Sequence, residues 1–448
     1  MFLILLITKA IMTMKYGRKK ISFLVANFVL FSVFACAVTP QLPIKASSEK
    51  EAKEKLDAYV KFTQILNIIE NEYVDEVNAS ALVDKALKGL LNNLDAHSSY
   101  MDKKAFQDLN VQTSGEFGGL GISVGMRDNA LTVIAPIQDT PADKAGVKAG
   151  DIILKLDEKA TMGMNIDEAV SIMRGKPKTS ITLTILRKDE PKPLEIKIVR
   201  DIIKVQSVFT KHIDDDILHI HVSSFDKKVV SGVKEALQKN PKAKGLILDL
   251  RNNPGGLLNQ AVGLVDLFVD KGVIVSQKGK VATENIQYKA KSNSINSTIP
   301  IVVIVNGGSA SASEIVSGAL QDLNRGVVVG EKTFGKGSVQ AVLPVGNEEA
   351  LRLTVARYYL PNGRSIQAEG VTPDITIYPG VVTQEENGLV FKESDLAKHL
   401  ENDKPKKQIK KETKQTDKIA KEDLYQDAQL KSAVDILRAL ILTQERKR

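Results

Sequence analysis

The chain is arranged around the stretch Asn306-Gly307-Gly308-Ser309-Ala310-Ser311-Ala312-Ser313-Glu314. An apolar, β-branched run at 299–305 precedes it, and apolar residues at helical spacing follow it. The pattern predicts a strand, a tight glycine turn and a helix, which would hold a serine at the end of a sheet beside free backbone N–H groups. This arrangement suits acyl transfer. The alternative is that Ser311-x-x-Glu314 is a capping box that only starts a helix.

A second glycine-framed turn lies one helix and one strand further on. It reads Val327-Val328-Val329-Gly330-Glu331-Lys332-Thr333-Phe334-Gly335-Lys336-Gly337. A lysine has an ordinary pKa near ~10.4, but removal from water among apolar groups can lower this pKa to about 7–8. We therefore expect Lys336 to lie beside Ser311 as its general base. The alternative is an ordinary solvated lysine.

Together with Asp249-Leu250-Arg251-Asn252-Asn253-Pro254-Gly255-Gly256, these two turns resemble the carboxyl-terminal processing proteases of the S41 serine peptidase family. The resemblance runs from about residue 55 to about residue 380. It implies that Ser311 is the nucleophile, that Lys336 is the base and that Gln340 orients the lysine. It also implies an oxyanion hole formed by the N–H group of Gly255 or Gly256 together with that of Ala312. A plain turn at 254–256 is the alternative.

The sequence pattern of residues 113–200 resembles that of a PDZ domain. Gly118-Gly119-Leu120-Gly121-Ile122-Ser123-Val124 is a glycine-rich turn that enters a strand. A PDZ domain accepts an extended peptide as an added strand, and its loop N–H groups receive the terminal carboxylate. Gly119, Leu120, Gly121 and Ile122 are the expected peptide-binding residues. A dinucleotide-binding loop is disfavoured because the G-x-G-x-x-G spacing is absent.

Arg174 follows the predicted helix Ile166–Met173, which should flank the peptide groove. One interpretation is a solvated helix end that interacts with the last carbonyl groups. The other is a coupling residue that contacts the catalytic domain when the groove is occupied.

The first residues have the pattern of an export signal. A basic segment after Met14 precedes the uncharged run 21–38, so translation starts at either Met1 or Met14, and residues 1–38 are expected to be a signal peptide or a membrane anchor. Cys36 is the single cysteine, which excludes a disulfide framework. We expect an exported protein of the periplasm or cell envelope, with the N-terminal segment as a possible anchor in the cytoplasmic membrane.

Helical periodicity continues over 48–110, which is expected to form an N-terminal helical arm. Asp95-Ala96-His97-Ser98-Ser99-Tyr100 is similar to the family signature Asp-Pro-His-Ser-Tyr, with Ala96 in place of proline. His97 is a candidate catalytic residue because a histidine titrates near neutral pH. The resemblance instead implies that this segment lies away from the serine and holds the N-terminal helical arm in place. Beyond the catalytic region at 205–380, residues 381–448 are expected to be a lysine-rich linker and a C-terminal helix.

The composition limits the classes of function. The chain is 43% hydrophobic and 26% charged, as in globular proteins, and its net charge is +8. The lysines collect in the tail, and aromatic residues make up 5% with no Trp, so no nucleic-acid surface is expected. No metal-ligand pattern or cofactor motif is present, so we expect no metal and no cofactor.

We therefore predict a multidomain α+β protein with a helical N-terminal arm, a β-rich PDZ domain with two helices and an α/β spiral catalytic domain of the crotonase/ClpP-like type. The predicted function is that of a serine endopeptidase with a Ser–Lys dyad that processes or degrades proteins from or near apolar carboxyl termini. A homo-oligomer is among its expected states. A catalytically silent PDZ scaffold that tethers envelope proteins is the alternative. An acyl-CoA hydratase-like enzyme is a second rival, but it offers no reason for a PDZ domain.

Overall fold

The computed structural model describes residues 49–188, 190–291, 295, 298–346, 348–383 and 418–447. The predicted leader and most of the lysine-rich linker lie outside these residues. The chain divides into two compact units, Met1–Ala86 and Leu87–Arg448. Helix α1 (Glu49–Glu72) belongs to the first unit and buries none of its side chains, and helix α2 (Ala79–Asn92) spans the division. In the described part of the chain, no helix is long and apolar enough to cross a membrane.

The second unit begins with elements that lead into the PDZ domain. They are β1 (Ser99–Met101), α3 (Lys103–Ser114) and β2 (Glu116–Gly119). Helix α3 starts where the carboxylate of Asp102 accepts from the Ala105 N–H group, and it ends at Gly115 in the left-handed conformation that glycine tolerates.

The PDZ domain is a six-stranded sheet with two helices. The elements in chain order are β3 (Ile122–Arg127), β4 (Ala130–Pro136), α4 (Pro141–Lys144), β5 (Ile152–Leu156), β6 (Lys159–Ala160), α5 (Ile166–Met173), β7 (Ser180–Leu186), β8 (Leu194–Val199) and β9 (Asp201–Lys204). Antiparallel pairing gives the strand order β3-β4-β5-β7-β8, with β6 paired to β5, and β2 pairs with β9. Leu156, Leu183 and Ile185 form the centre of the core, against which α5 packs Ala169 and Met173.

The catalytic region alternates strands and helices. Its elements are β10 (Val208–Ile213), β11 (Ile217–Val222), α6 (Val229–Lys239), β12 (Gly245–Asp249), α7 (Leu258–Asp266), β13 (Val273–Gly279), β14 (Ile286–Lys289), β15 (Ile301–Val305), α8 (Ala312–Asp322), β16 (Val327–Gly330), β17 (Ser338–Pro344), β18 (Ala350–Tyr359), β19 (Ile375–Thr376), α9 (Lys421–Tyr425) and α10 (Ala428–Arg446).

The principal sheet has the order β10-β11-β12-β15-β16-β19. All of its pairs are parallel except β10–β11. Both faces are covered, since Leu246 and Leu248 of β12 join the core under α7 and α8, whereas Ile247 joins the core under α10. Burial on both sides explains the unbroken apolar sequence of β15. The carboxyl ends of β12, β15 and β16 therefore meet at one edge, where α/β sheets place their sites.

A second, antiparallel sheet lies beside this edge, with β18 at its centre. β17 pairs along β18 on one side, while β13 and the short β1 pair with it on the other. The predicted fold class is confirmed, with a helical N-terminal region, a PDZ domain and a catalytic α/β region.

Candidate active site

Ser311 occupies a strained turn between β15 and α8. Its backbone has φ 53° and ψ −108°, a conformation that costs a non-glycine residue free energy and is concentrated at functional sites. Because α8 starts at Ala312, the side chain of Ser311 stands at a helix N-terminus, where backbone N–H groups are unpaired by the helix itself.

The loop after β12 lies directly against this turn. A Cβ atom added to Gly255 would lie 2.9 Å from the Cβ of Ser311 and 3.0 Å from the nitrogen of Ala312, so only glycine fits here. The N–H group of Gly255 donates to Asn253 Oδ1 at 2.9 Å. Among the described residues, the N–H groups of Gly256 and Ala312 have no acceptor. Of the two glycines that the sequence left open, Gly255 therefore has a paired N–H group, whereas the N–H group of Gly256 has no acceptor among the described residues.

Lys336 is half-buried and lines the same cleft as Ser311. Burial and the positive charge of Arg352 lower the pKa of Lys336, and the negative charge of Glu314 partly opposes them. A lowered pKa is what a lysine needs to act as a base near neutral pH.

Glu314 connects the two turns. Its side chain is fully buried, and its Oε2 atom accepts from the Ser311 N–H and the Lys336 N–H, each at 2.8 Å. Its Oε1 atom accepts from Thr333 Oγ1 at 2.6 Å and from the Gly335 N–H at 2.7 Å. The sequence identified Glu314 only as a possible cap, because its contacts with the second turn depend on tertiary structure.

Ser311, Lys336 and Gln340 line one cleft of about 560 Å³, together with Gly255 and Gly256. In the described part of the chain, no hydrogen bond joins Ser311 to Lys336, or Gln340 to Lys336. Gln340 Nε2 instead donates to Ser338 Oγ at 2.9 Å and to Thr354 Oγ1 at 3.3 Å. The cleft is thus lined by Ser311, Lys336 and Gln340, as predicted, but Ser311 and Lys336 are not hydrogen-bonded to each other.

The segment that contains His97 lies closer to the site than the sequence indicated. Because β1 pairs with β18, Thr354 Oγ1 donates to Asp95 Oδ1 at 3.1 Å, and Arg352 Nε donates to the carbonyl of His97 at 3.1 Å. Burial lowers the pKa of His97, and the charges of Lys336 and Arg352 lower it further. The expectation that this segment is remote from the serine is therefore wrong, since its partner Arg352 lines the cleft.

The loop that carries Gly255 and Gly256 is anchored at its start by buried charges. Arg251 donates from Nε to Asp249 Oδ1 at 3.0 Å and from Nη2 to Asp249 Oδ2 at 2.7 Å. Burial alone would raise the pKa of Asp249, but contacts with His219, His221 and Arg251 hold it well below its usual range. Arg251 also donates to Asp427 at the start of α10, at 3.0 Å. The sequence did not predict this link to the C-terminal helix.

In the PDZ domain, the loop between β2 and β3 contains a glycine in the left-handed conformation and two N–H groups without a partner among the described residues. Gly121 has φ 78°, and a Cβ atom there would lie 2.3 Å from the Cβ of Thr140. Within the described residues, the N–H groups of Leu120 and Gly121 have no acceptor. Gly119 ends β2 and Ile122 begins β3.

Arg174 is paired with a residue outside the PDZ domain. Its Nη1 atom donates to Asp108 of α3 at 2.6 Å, and its guanidinium lies 5.2 Å from the ring centroid of Phe117. These residues line a second cleft, of about 680 Å³, between α3 and the PDZ domain. The pairing involves α3 rather than the catalytic turns.

Comparisons with known proteins agree with this architecture. The family model described as Peptidase family S41 matches residues 216–377, the PDZ domain model matches 118–198, and the model of the activating protease CtpB N-terminal domain matches 28–105.

A carboxy-terminal-processing protease of Bartonella bacilliformis is 42% identical over 431 residues, which cover 95% of this chain and 96% of that protein. The carboxy-terminal processing protease CtpA of Bacillus subtilis is 34% identical over 78% of this chain and 75% of its own. Among solved structures, the photosystem II D1 C-terminal processing protease aligns at 28% identity over 71% of this chain and 86% of its own, with a TM-score of 0.42. The chain is a serine peptidase and belongs to the carboxy-terminal processing proteases of peptidase family S41.

Proposed function

We propose that this chain is an endopeptidase in which Ser311 and Lys336 form a catalytic dyad, and that its PDZ domain recruits protein substrates by their apolar carboxyl termini. The observation that carries the proposal is the buried carboxylate of Glu314. It accepts from the backbone of both catalytic turns and so holds Ser311 and Lys336 toward one cleft.

The reaction follows from the chemistry of these groups. Neutral Lys336 takes the proton of Ser311 Oγ as that oxygen attacks the scissile carbonyl carbon, and the N–H groups of Gly256 and Ala312 stabilise the resulting oxyanion. The lysine then gives its proton to the leaving amine, and water hydrolyses the acyl-enzyme by the same steps. The side chain of Gln340 orients the amine. No metal or cofactor takes part in these steps.

Single and double substitutions test the dyad. Ser311→Ala and Lys336→Ala should each lower kcat on a protein substrate by about 10⁴- to 10⁶-fold, and the double variant should lose little more, because the two residues act as a unit. Lys336→Arg should be equally inactive, since a guanidinium does not deprotonate in the working range. Additive losses would contradict the dyad. Retained proteolysis in Ser311→Ala would contradict the whole proposal, and a native chain without proteolytic activity would favour the silent scaffold.

Recruitment by the PDZ domain is tested with matched peptides. A peptide with a free, apolar carboxyl terminus should bind more tightly than the same peptide with an amidated terminus, because the N–H groups of Leu120 and Gly121 favour a carboxylate. Fluorescence anisotropy with the Ser311→Ala protein measures this difference without cleavage. Equal affinity for the two peptides would mean that the loop does not bind the carboxylate.

We also propose that Arg174 couples the two domains, with its pairing to Asp108 as the contact that changes when a peptide binds. A small ester that bypasses the PDZ groove provides the test. A separate groove-binding peptide should accelerate ester hydrolysis about 5- to 150-fold in the native protein. Arg174→Ala should abolish this acceleration. An effect of equal size in both proteins would leave the PDZ domain as a tether.

The site of action is proposed from the leader at 1–38, which favours export to the periplasm or cell envelope. Fractionation of cells that produce the full chain, followed by N-terminal sequencing, distinguishes a cleaved signal peptide from a retained anchor. Recovery of the uncleaved protein in the cytoplasm would contradict export.

A further inference from the structure

The amide of Gln340 belongs to a chain of hydrogen bonds that starts outside the catalytic turns. Gln340 Nε2 donates to Thr354 Oγ1 at 3.3 Å, and Thr354 Oγ1 donates to Asp95 Oδ1 at 3.1 Å. Asp95 belongs to the segment before β1, and Thr354 lies in β18. This series of hydrogen bonds therefore connects the segment that contains Asp95 to Gln340, a side chain that lines the active-site cleft.

The side chain of Asp95 acts only as a hydrogen-bond acceptor in this series. Its Oδ1 atom also accepts from the His97 N–H at 2.7 Å and the Ser98 N–H at 2.9 Å, and its Oδ2 atom accepts from Ser98 Oγ at 2.7 Å. Burial acts to raise the pKa of Asp95, but the hydrogen bonds from Ser98, His97 and Thr354 outweigh it and lower this pKa to about 2. An ionised carboxylate has no proton to donate, so the hydroxyl proton of Thr354 must point toward Asp95.

This direction fixes the orientation of the Gln340 amide. A hydroxyl has one proton, so once Thr354 has given it to Asp95 its oxygen can only accept from Gln340. The Nε2 group must then face Thr354, and its second proton goes to Ser338 Oγ at 2.9 Å. Among the described residues, the Oε1 atom of Gln340 is left without a donor, so it can accept a hydrogen bond from an amine. The opposite orientation would set Oε1 of Gln340 against the Thr354 oxygen, which has no second proton to donate.

We propose that Asp95 and Thr354 are positioning residues of the catalytic centre, which hold the Gln340 amide so that its oxygen is available to the amine of Lys336. This inference rests on the proposed Ser311–Lys336 dyad. It gives the Asp95–Ser98 segment a part in the reaction in addition to anchoring the arm.

Removal of the Thr354 hydroxyl tests the proposal in the full chain. Thr354→Val should lower kcat for peptide hydrolysis about 5- to 50-fold with KM nearly unchanged, because the amide of Gln340 is then free to turn. Thr354→Ser, which keeps the hydroxyl, should restore most of the activity. Thr161→Val is the matched control, since it removes a buried hydroxyl that bonds to the Ile153 carbonyl in the PDZ domain, and it should leave kcat for a short peptide unchanged.

A double-mutant cycle separates positioning from general stability. In a Gln340→Ala background, Thr354→Val should cause no further loss of kcat, because Thr354 acts only through Gln340. Gln340→Glu, which has the same shape but cannot donate to Thr354, should lose at least as much activity as Gln340→Ala.

Three results would overturn the inference. They are an equal effect of Thr354→Val with and without Gln340, an unchanged kcat in Thr354→Val, and full activity in Gln340→Glu. Any of these results in a protein that still needs Ser311 and Lys336 would refute the positioning role alone. Activity that survives in Lys336→Ala would refute the dyad itself.

Discussion

Glu314 shows how one residue organises the candidate site. A carboxylate without access to water is costly unless its oxygens are hydrogen-bonded, and here four donors from two separate turns satisfy it. The two turns therefore stabilise the carboxylate, and the carboxylate fixes the distance between them. Breaking one partner of such a network leaves the others unsatisfied, so Glu314 should tolerate no substitution well.

Glu314→Gln should destabilise the fold and slow the reaction. The new NH₂ group would face backbone N–H donors, so we expect the free energy of unfolding to fall by about 2–4 kcal/mol and kcat to fall with it. Chemical denaturation and peptide hydrolysis measure the two effects. Glu331→Gln is the control, because Glu331 lies at the same sheet edge and its carboxylate has no hydrogen bond among the described residues. Native stability and activity in Glu314→Gln would contradict the role of Glu314.

The pH dependence of the reaction should depend on Arg352. Its positive charge helps to hold the pKa of Lys336 below the ordinary value, after the larger effect of burial. The value of kcat/KM should rise with pH as Lys336 loses its proton. In Arg352→Met the pKa of Lys336 should rise, so the acidic limb of the pH–rate profile should move to higher pH.

Arg357→Met provides the control for this profile, since Arg357 lies in the same strand with an exposed side chain outside the cleft. His97→Gln should leave the acidic limb in place, because the proposed base is Lys336. A limb that moves in Arg357→Met, or stays fixed in Arg352→Met, would argue against Lys336 as the titrating group.

The residues of the site were predictable to different degrees. Ser311 and Lys336 follow from their glycine-framed turns, since these local sequences are typical of a nucleophile and a base at the ends of buried strands. Thr354 and Asp95 were not predictable in the same way. Their contact joins positions far apart in sequence, and it exists only because β1 pairs with β18. The pairing of the Gly255 N–H group likewise depends on the side chain of Asn253, which the local sequence does not place.

Among the elements, the parallel strands were the most predictable. The apolar runs at 299–305 and 327–329 became β15 and β16, because a strand buried on both faces needs an unbroken apolar sequence. Helix α10 was predicted from its spacing, but its place was not. Its apolar side covers the face of the sheet opposite α8, where it packs against Ile247, Val302 and Ile304. The spacing of one helix does not specify which sheet face it covers.

A truncation in α10 should reveal its contribution to the fold. Leu437→Ala removes a fully buried side chain and should lower the free energy of unfolding by about 2–5 kcal/mol. Leu442→Ala makes the same change at a side chain that is 53% exposed, and it should have little effect. Urea denaturation measures both. Equal losses in the two variants would mean that α10 contributes through its helical structure rather than through packing on the sheet.

Across the second unit, two clefts share helix α3 as a wall. Leu109 and Gln112 line the active-site cleft, while Gln107 and Asp108 line the cleft beside the PDZ domain, and Thr113 lines both. A rigid helix between two sites can transmit a preference for one arrangement, provided that each ligand favours that arrangement. We expect the ion pair of Arg174 with Asp108, which lies in the second cleft, to be the contact through which a peptide bound to the PDZ domain acts on α3.

Linkage gives this coupling a test that does not depend on turnover. Suppose that a groove-binding peptide favours the competent active site and so raises the affinity of a reversible peptide boronate for Ser311. The bound boronate must then raise the affinity of the groove-binding peptide by the same factor. Calorimetric titration of each ligand with and without the other should give equal factors, about 5- to 150-fold. Asp108→Asn, which keeps the shape of the side chain but removes its charge, should reduce both factors together. Independent binding of the two ligands in the native protein would mean that α3 separates the clefts without connecting them.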